Sequence, residues 1–412
     1  MTSEIATPSV LRGITVDSVR HGIVWLMMAV SFIVFIEPAP CDLLFFVALL
    51  LFVPSGLRVS IANIPLLLLL VGFLLGGLTS LIVKAPNQPE SIQFVVTSTY
   101  MALTGIFFAL YFSSETEWRS KLISDAWIVA SVLATVLGLI GAFDIAGTGT
   151  LMSLYGRAMG LFKDPNVYST YIILPALLLV QRILIGTSRH PYATILTLFF
   201  ILAGLFMSFS RGAWINFIGS VVLLVVITFV LSTKPQHRMR IIFVVIAGVA
   251  VSTLLLFTLL LNEYVRELFV VRFSLVQDYD GGETGRFGNQ LLSLPLLVVE
   301  PFGFGPLNFR NVLYQDPHNV FINAFASYGW LGGFSYLLLT IYTLVLGAKS
   351  LLRPAPWQPL AIAAYCVFLT TTLQGIQIDT DHWRHYYWLL GIVWGLHAAT
   401  LQPDGYRRTF AA

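Results

Sequence analysis

Charged residues are scarce in this chain. Asp, Glu, Lys and Arg make up 10% of its 412 residues, whereas hydrophobic residues make up 57%. A soluble domain carries roughly 25% charged residues and could not hide so much apolar surface from water. The composition therefore excludes an ordinary soluble protein and favours one that lies in a membrane.

Cysteine is scarce as well. The two cysteines, Cys41 and Cys366, lie inside or beside apolar runs and have no zinc-site or redox-pair spacing, so a structural disulfide or zinc site is not expected. The sequence also lacks the nucleotide-binding motif GxxxxGK[ST], an internal repeat and a low-complexity tract. We expect no metal, no cofactor and no nucleic-acid partner.

Long apolar runs, in contrast, are abundant. About twelve segments are apolar enough over roughly 19 residues to be transmembrane helices. They lie near residues 22–37, 41–55, 64–83, 91–112, 122–143, 165–185, 190–209, 212–232, 239–261, 319–348, 358–376 and 384–400. The first has no clear cleavage site after it, so we interpret it as a retained helix. The sequence predicts an all-α polytopic integral membrane protein with a single membrane domain, residues 1–412.

The basic residues indicate the orientation of the chain. With a cytoplasmic N-terminus, 14 of the 23 Lys and Arg residues lie on the cytoplasmic side, in agreement with the positive-inside rule. Twelve spans then leave both termini in the cytoplasm. The outer basic residues fall mostly at 157–163, at 211 and in the loop 262–318, the only sizeable water-exposed segment. We expect this large outer loop to form a small helical cap over an outer cavity.

Three of the outer residues are candidates for catalysis. His318 lies at the start of a long apolar helix, and a histidine near its ordinary pKa can take a proton from a sugar hydroxyl. Arg211 and Arg286 carry guanidinium groups, which fit phosphate oxygens bidentately. Each residue also has a structural interpretation. His318 could cap its helix, and Arg211 could reach lipid headgroups. Arg286 could form a weak local ion pair with Glu283.

Other outer residues are candidates for substrate binding. Arg157 and Lys163 lie in YGRAMGLFKDPNVYS and could form a second basic patch over the same cavity or a solvated loop. Arg310 in the outer loop and Asn319, next to His318, are further candidates.

The segment DTDHWRHYYW contributes the last candidate, Arg384. Its charges could form an interfacial salt-bridge cluster or recognise sugar, and its aromatic residues are typical of a membrane-interface belt. A metal site from Asp379, Asp381 and His382 has no diagnostic spacing, so none is predicted.

In chain order, these motifs resemble the O-antigen ligase and polymerase superfamily. FSRGAW, GRF, PFGFGPLNF and PHNVFINAFASYGWLGG follow one another around the outer loop. RAMGLFKDPNVYSTYIILP is similar to the segment that precedes the core in those proteins, and the resemblance is firm over residues 157–333. It implies a GT-C-like helical membrane glycosyltransferase in the bacterial inner membrane. The enzyme would act on the periplasmic face, on glycans carried by undecaprenyl diphosphate, without metal or nucleotide.

The resemblance also implies roles for the three catalytic candidates. Arg211 and Arg286 would hold the diphosphate, and His318 would activate the acceptor hydroxyl, with inversion at the anomeric carbon. A ligase would transfer the glycan to a lipid A–core sugar. A polymerase would transfer it to a growing glycan of O-antigen, capsule or exopolysaccharide. The outer loop is short for a protein that must bind a bulky lipid A–core, so the ligase and polymerase interpretations both stay open.

A third interpretation is a transporter or flippase of lipid-linked glycans. Such a protein is expected to place charged residues along several helices near mid-bilayer. Here the mid-span positions are nearly free of charge and the polar groups gather on one outer side. This distribution favours a one-sided catalytic site.

Overall fold

The structure, a computed structural model, describes residues 16–54, 57, 59–273, 285–313 and 316–402. Within these residues the chain forms 17 α-helices and one antiparallel hairpin of two strands. The elements are α1 (Val16–Ala29), α2 (Pro40–Phe52), α3 (Ile64–Lys84), α4 (Pro89–Phe112), α5 (Thr116–Ala142), α6 (Gly149–Met152), β1 (Ser153–Leu154), β2 (Arg157–Ala158), α7 (Pro165–Tyr171), α8 (Ile173–Ile185), α9 (Pro191–Met207), α10 (Arg211–Leu231), α11 (Pro235–Leu260), α12 (Glu263–Phe273), α13 (Arg286–Val299), α14 (Arg310–Leu313), α15 (Val320–Leu351), α16 (Gln358–Gln374) and α17 (Arg384–Thr400).

A helix lies at each of the twelve apolar segments of the sequence, with α7 and α8 together occupying one of them. In the described part of the chain, seven helical stretches are long and apolar enough to cross a membrane, and α2 and α9 are shorter apolar helices. Helices suit such a chain because every backbone polar group in lipid must be bonded internally. The all-α polytopic class is therefore confirmed, while twelve spans and a GT-C-like arrangement stay predictions.

Close helix pairs build the core. α15 packs along α3, where an added Cβ at Gly77 would collide with the ring of Tyr328. α17 packs along α4, with Gly391 against the backbone of Gly105. Small residues of this kind let helices approach closely in a membrane. α11 differs, because Ile241 is the one buried residue along its described length, so it presents an apolar surface almost all round.

A break in α15 ties this long helix to the outer loop. Gly329 has φ of +63°, in the left-handed region that favours glycine. Beside it, the backbone N–H of Trp330 donates to the carbonyl of Pro301 at 2.9 Å. The indole Nε1–H of Trp330 donates to the carbonyl of Leu297, near the end of α13, at 2.9 Å. The far end of α13 is thereby fixed to α15.

In its described residues, the predicted cap contains three helices, α12, α13 and α14. α12 rests on the β-hairpin through Tyr264, which lies beside Gly156. It also contacts α10, since Phe269 stacks on Trp214 with ring centroids 6.0 Å apart. Residues 274–284 and 314–315 lie outside the described residues, and they include Glu283, the alternative partner of Arg286.

Candidate functional site

Three helix ends meet at what we call the site end of the bundle, where α10 and α15 begin and α16 ends. The backbone N–H of Val320, in the first turn of α15, donates to the carbonyl of Gly375, just after α16, at 2.8 Å. Gly212, next to Arg211, lies against α16, since an added Cβ there would be 3.0 Å from Gln374 Nε2. The starts of α10 and α15 therefore both lie beside the end of α16.

His318 precedes α15 without capping it. The cap is Asn319, whose Oδ1 accepts hydrogen bonds from the backbone N–H groups of Phe321 at 3.0 Å and Ile322 at 3.2 Å. His318 itself has φ of +47°, an uncommon value for a residue with a side chain. Its side chain is 42% exposed, so the imidazole stays outside the helix and can be reached by a substrate.

One charged neighbour of the His318 ring is Asp379, in the turn between α16 and α17. His318 Nδ1 and Asp379 Oδ2 are 3.8 Å apart, and the Asp379 side chain is 24% exposed. This is an ion-pair distance, longer than a hydrogen bond. Burial lowers the pKa of His318 below its ordinary 6.5, and the positive charge of Arg286 lowers it further, while Asp316 opposes both effects. The imidazole is therefore neutral at pH 7 and able to accept a proton.

The pKa of Asp379 is shifted in the opposite direction. Burial raises the pKa of its carboxyl group well above the ordinary 3.8, and the negative charges of Asp381 and Asp316 add to that rise. The positive charge of Arg286 counteracts it. A histidine and a carboxyl group whose pKa values both depart from normal are typical of a functional site.

Arg286 is the first residue of α13. Its guanidinium is close enough to influence the pKa values of both His318 and Asp379. The structure therefore brings together two of the three residues singled out for catalysis, Arg286 and His318. Both Arg286 and Arg211 also interact with other groups of the chain.

Arg211 begins α10, and the residues just before it form a second polar group with Arg157. Arg157 donates from Nε to the Ser208 carbonyl at 2.9 Å and from Nη2 to Asn166 Oδ1 at 3.0 Å. The same Asn166 oxygen accepts a hydrogen bond from the hydroxyl of Ser210, the residue before Arg211, at 2.7 Å. Asn166 thus links Arg157 to the corner that carries Arg211.

The corner between α9 and α10 is also strained. Phe209 has φ of +46°, which is an outlier for a bulky residue. Residues forced into such conformations cluster at ligand-binding and active sites. Positive φ therefore occurs at both key segments, two positions before Arg211 and at His318 itself, as well as at five other non-glycine residues of the described chain.

Arg384 is held inside the protein at the start of α17. Its guanidinium donates from Nε and Nη2 to the two carboxylate oxygens of Asp42 at 2.9 and 2.8 Å. The hydroxyl of Tyr100 donates to the same carboxylate at 2.6 Å. In this structure Arg384 joins α17 to α2, the salt-bridge alternative that the sequence left open.

Lys163 and Arg310 also have acidic partners from distant parts of the chain. Lys163 pairs with Glu37, and both side chains are about half exposed. Arg310 Nη2 lies 3.0 Å from Glu90 Oε2, near the start of α4. Exposed ion pairs of this kind are weak, so a bound anion can replace the carboxylate partner of either residue.

The rest of the segment between α16 and α17 is bonded to α4 and α15. Asp381 Oδ2 accepts a hydrogen bond from Asn323 Nδ2 at 3.2 Å. His382 Nε2 is hydrogen-bonded to Ser98 Oγ at 2.8 Å. Among the described residues, no group of three or more His, Cys, Asp or Glu side chains is placed to hold a metal ion.

Sequence reasoning did not assign site roles to Asp379, Gln290 or Asn166. Asp379 had a visible signal, since it lies in one of the few charged segments among the apolar runs. Gln290 lies one helical turn after Arg286, a spacing that places both on one helix face. Asn166 gave no signal, because its partners are 9 and 44 residues away in the sequence.

Comparison with known families gives one match. Residues 196–337 match the family model Wzy_C, described as O-antigen ligase. The matched region contains Arg211, Arg286 and His318 and ends before Asp379. No curated protein matches the chain. The family match confirms that this multi-pass membrane protein resembles the O-antigen ligase and polymerase superfamily.

Proposed function

We propose that the protein is an O-antigen ligase-like glycosyltransferase. It moves a glycan from undecaprenyl diphosphate to a sugar hydroxyl of lipid A–core on the periplasmic face of the inner membrane. The observation that carries this proposal is the group formed by His318, Asp379 and Arg286 at the site end, two of whose members lie in the matched region. A neutral base beside fixed positive charge is what transfer from a diphosphate requires.

His318 is the general base. Its pKa is lowered, so the ring is neutral at physiological pH. A proton on Nδ1, on the side of Asp379, leaves the Nε2 lone pair available for the acceptor hydroxyl. In its ionised form, Asp379 favours this tautomer and stabilises the imidazolium that forms when the proton is taken.

Arg211 and Arg286 bind the diphosphate. Guanidinium groups remain charged at all relevant pH values and contact phosphate oxygens bidentately. Each arginine begins a helix, α10 or α13, whose N-terminal N–H groups also favour anions. Positive charge placed in advance stabilises the leaving group as negative charge develops on it. Arg157, Lys163, Arg310, Asn319 and Arg384 stay candidates for substrate binding, the last through rearrangement of its contact with Asp42.

The bond changes follow from this arrangement. The acceptor oxygen forms a bond to the anomeric carbon as the bond between that carbon and the phosphate oxygen breaks. The hydroxyl proton goes to His318, and the electron pair of the broken bond stays on undecaprenyl diphosphate. Attack from the face opposite the leaving group inverts the anomeric centre.

A polymerase of O-antigen, capsule or exopolysaccharide repeat units is the second candidate. It would use the same donor and the same base with a second lipid-linked glycan as acceptor. The observation that favours it is the small size of the described outer-loop helices, since α12, α13 and α14 have 11, 14 and 4 residues.

The test is transfer by purified protein in liposomes. The donor is one undecaprenyl-diphosphate-linked repeat unit, and the reaction is run with and without lipid A–core. We expect a single shifted product that requires lipid A–core. A ladder without that acceptor would replace the ligase by the polymerase. Movement of donor across the bilayer with no new glycosidic bond would favour the transporter.

His318→Ala is the decisive variant in the same assay. We expect no product from protein that inserts and folds normally, because no other neutral base is assigned to the acceptor. His190→Ala, an exposed histidine just before α9, is the matched control and should transfer at the wild-type rate. Normal product from His318→Ala would remove the general-base role.

A further inference from the structure

One amide side chain, that of Gln290 in α13, links three segments of the candidate site. Its Nε2 donates to the backbone carbonyl of His318 at 3.3 Å and to the carbonyl of Ile376 at 3.1 Å. Its Oε1 accepts a hydrogen bond from Asn319 Nδ2 at 3.4 Å. A glutamine amide offers two donor hydrogens and one acceptor oxygen, and all of these functions are used here.

The position of these contacts relates them to the proposed chemistry. Gln290 follows Arg286 by four residues, so both side chains project from the same face of α13. Ile376 lies three residues before Asp379, in the turn that carries this carboxylate. We infer that Gln290 is a positioning residue that holds Arg286 at its working distance from His318 and Asp379. This inference deepens the proposed function and rests on it for its catalytic consequence.

The far end of α13 supports the same interpretation. Trp330 holds the carbonyl of Leu297 at 2.9 Å, so α13 is anchored at the break in α15. Gln290 provides an anchor near the opposite end, one turn from Arg286. A helix fixed at both ends keeps its first residue in a defined place, and rate can fall about 100-fold when a group moves by roughly 1 Å.

Loss of the Gln290 contacts has a defined electrostatic consequence. The charged groups that act on His318 are Arg286 on α13 and Asp316 on its own segment, and Asp379 faces the ring from the turn after α16. Asp381 in turn acts on Asp379. If Arg286 is released, its effect on the ring weakens while the carboxylates remain. The pKa of His318 then rises by the contribution that Arg286 made, while burial, the largest cause of its lowering, remains.

The test compares Gln290→Ala and Gln290→Glu with wild type, and Leu291→Ala serves as control because Leu291 is 71% exposed on the same helix. NMR of histidine-labelled protein gives the pKa of His318, whose signal is identified by its loss in His318→Ala. We expect a higher His318 pKa in both Gln290 variants. Gln290→Glu keeps the size of the side chain but cannot donate to the two carbonyls. Its carboxylate also adds a negative charge that raises the pKa of His318 by itself, so Gln290→Ala is the decisive variant.

Transfer kinetics provide the second measurement. We expect kcat to fall about 10- to 100-fold in both Gln290 variants, with the acid limb of the pH profile moved to higher pH. Leu291→Ala should match wild type in pKa and kcat. A wild-type His318 pKa in Gln290→Ala overturns the positioning role. Because the NMR measurement needs no turnover, it decides this role even if wild type transfers no glycan and the proposed function fails.

Discussion

Replacing Asp379 by Asn tests the electrostatic core of the proposed mechanism. The substitution keeps the size of the side chain and removes a charge 3.8 Å from His318 Nδ1. Two unit charges at this distance interact by about 1 kcal/mol in water and about 4 kcal/mol at an effective dielectric constant of 20. The side chains of His318 and Asp379 are 42% and 24% exposed, so solvent screens the pair. We therefore expect the carboxylate to stabilise the imidazolium by about 1–2 kcal/mol. This corresponds to a decrease in kcat of about 5- to 30-fold.

The pH dependence of the variant has a definite sign. In the proposed mechanism, activity requires neutral His318 and ionised Asp379, so we expect kcat to rise with pH on the acid side. Removing the carboxylate withdraws a negative charge that favours the imidazolium, which lowers the pKa of His318. It also removes the group whose own pKa is raised. Both effects move the acid limb of the kcat profile to lower pH in Asp379→Asn.

The assay is transfer from undecaprenyl-diphosphate-linked glycan, measured as kcat across the acid to neutral range. Asp125→Asn is the matched control, since Asp125 forms an ion pair with Arg182 at 2.7 Å and is 60% exposed. We expect wild-type kinetics from that control. An Asp379→Asn enzyme with kcat within about twofold of wild type and an unchanged acid limb would refute the reasoning.

Three further substitutions test the surrounding structure. Arg384→Ala leaves the carboxylate of Asp42 buried without its bidentate partner. We expect the free energy of unfolding to fall by about 3–5 kcal/mol, measured as a lower Tm. An unchanged Tm would contradict this role of Arg384. Gly329→Ala places a Cβ 2.5 Å from the carbonyl oxygen of Pro301 at φ of +63°. We expect this substitution to lower the free energy of unfolding by about 1–3 kcal/mol, measured by thermal unfolding. Wild-type stability would show that the break in α15 does not require glycine. Arg211→Lys loses bidentate phosphate contact, so we expect a higher KM for the donor with normal folding; wild-type donor affinity would assign Arg211 a structural role.

The local sequence was sufficient to predict the helical membrane class and to single out three candidate site residues. An apolar run long enough to cross lipid must satisfy its own backbone groups, and helices do this with bonds between near neighbours. A charged residue beside such a run is costly, so Arg211, Arg286 and His318 stand out without any structure. The structure places His318 and Arg286 near one another, whereas their catalytic roles stay proposals.

Local patterns could not identify the partners of these residues. Asp379 follows His318 by 61 positions in the sequence, and Arg384 follows its partner Asp42 by 342. The role of Gln290 depends on where α13 lies against the turn after α16. Hydropathy and helical spacing determine which face of one helix is apolar, but they carry no information on how helices pack against each other. That packing places Asp379 near His318, engages Arg384 inside the protein and brings Gln290 of α13 to two other segments at once.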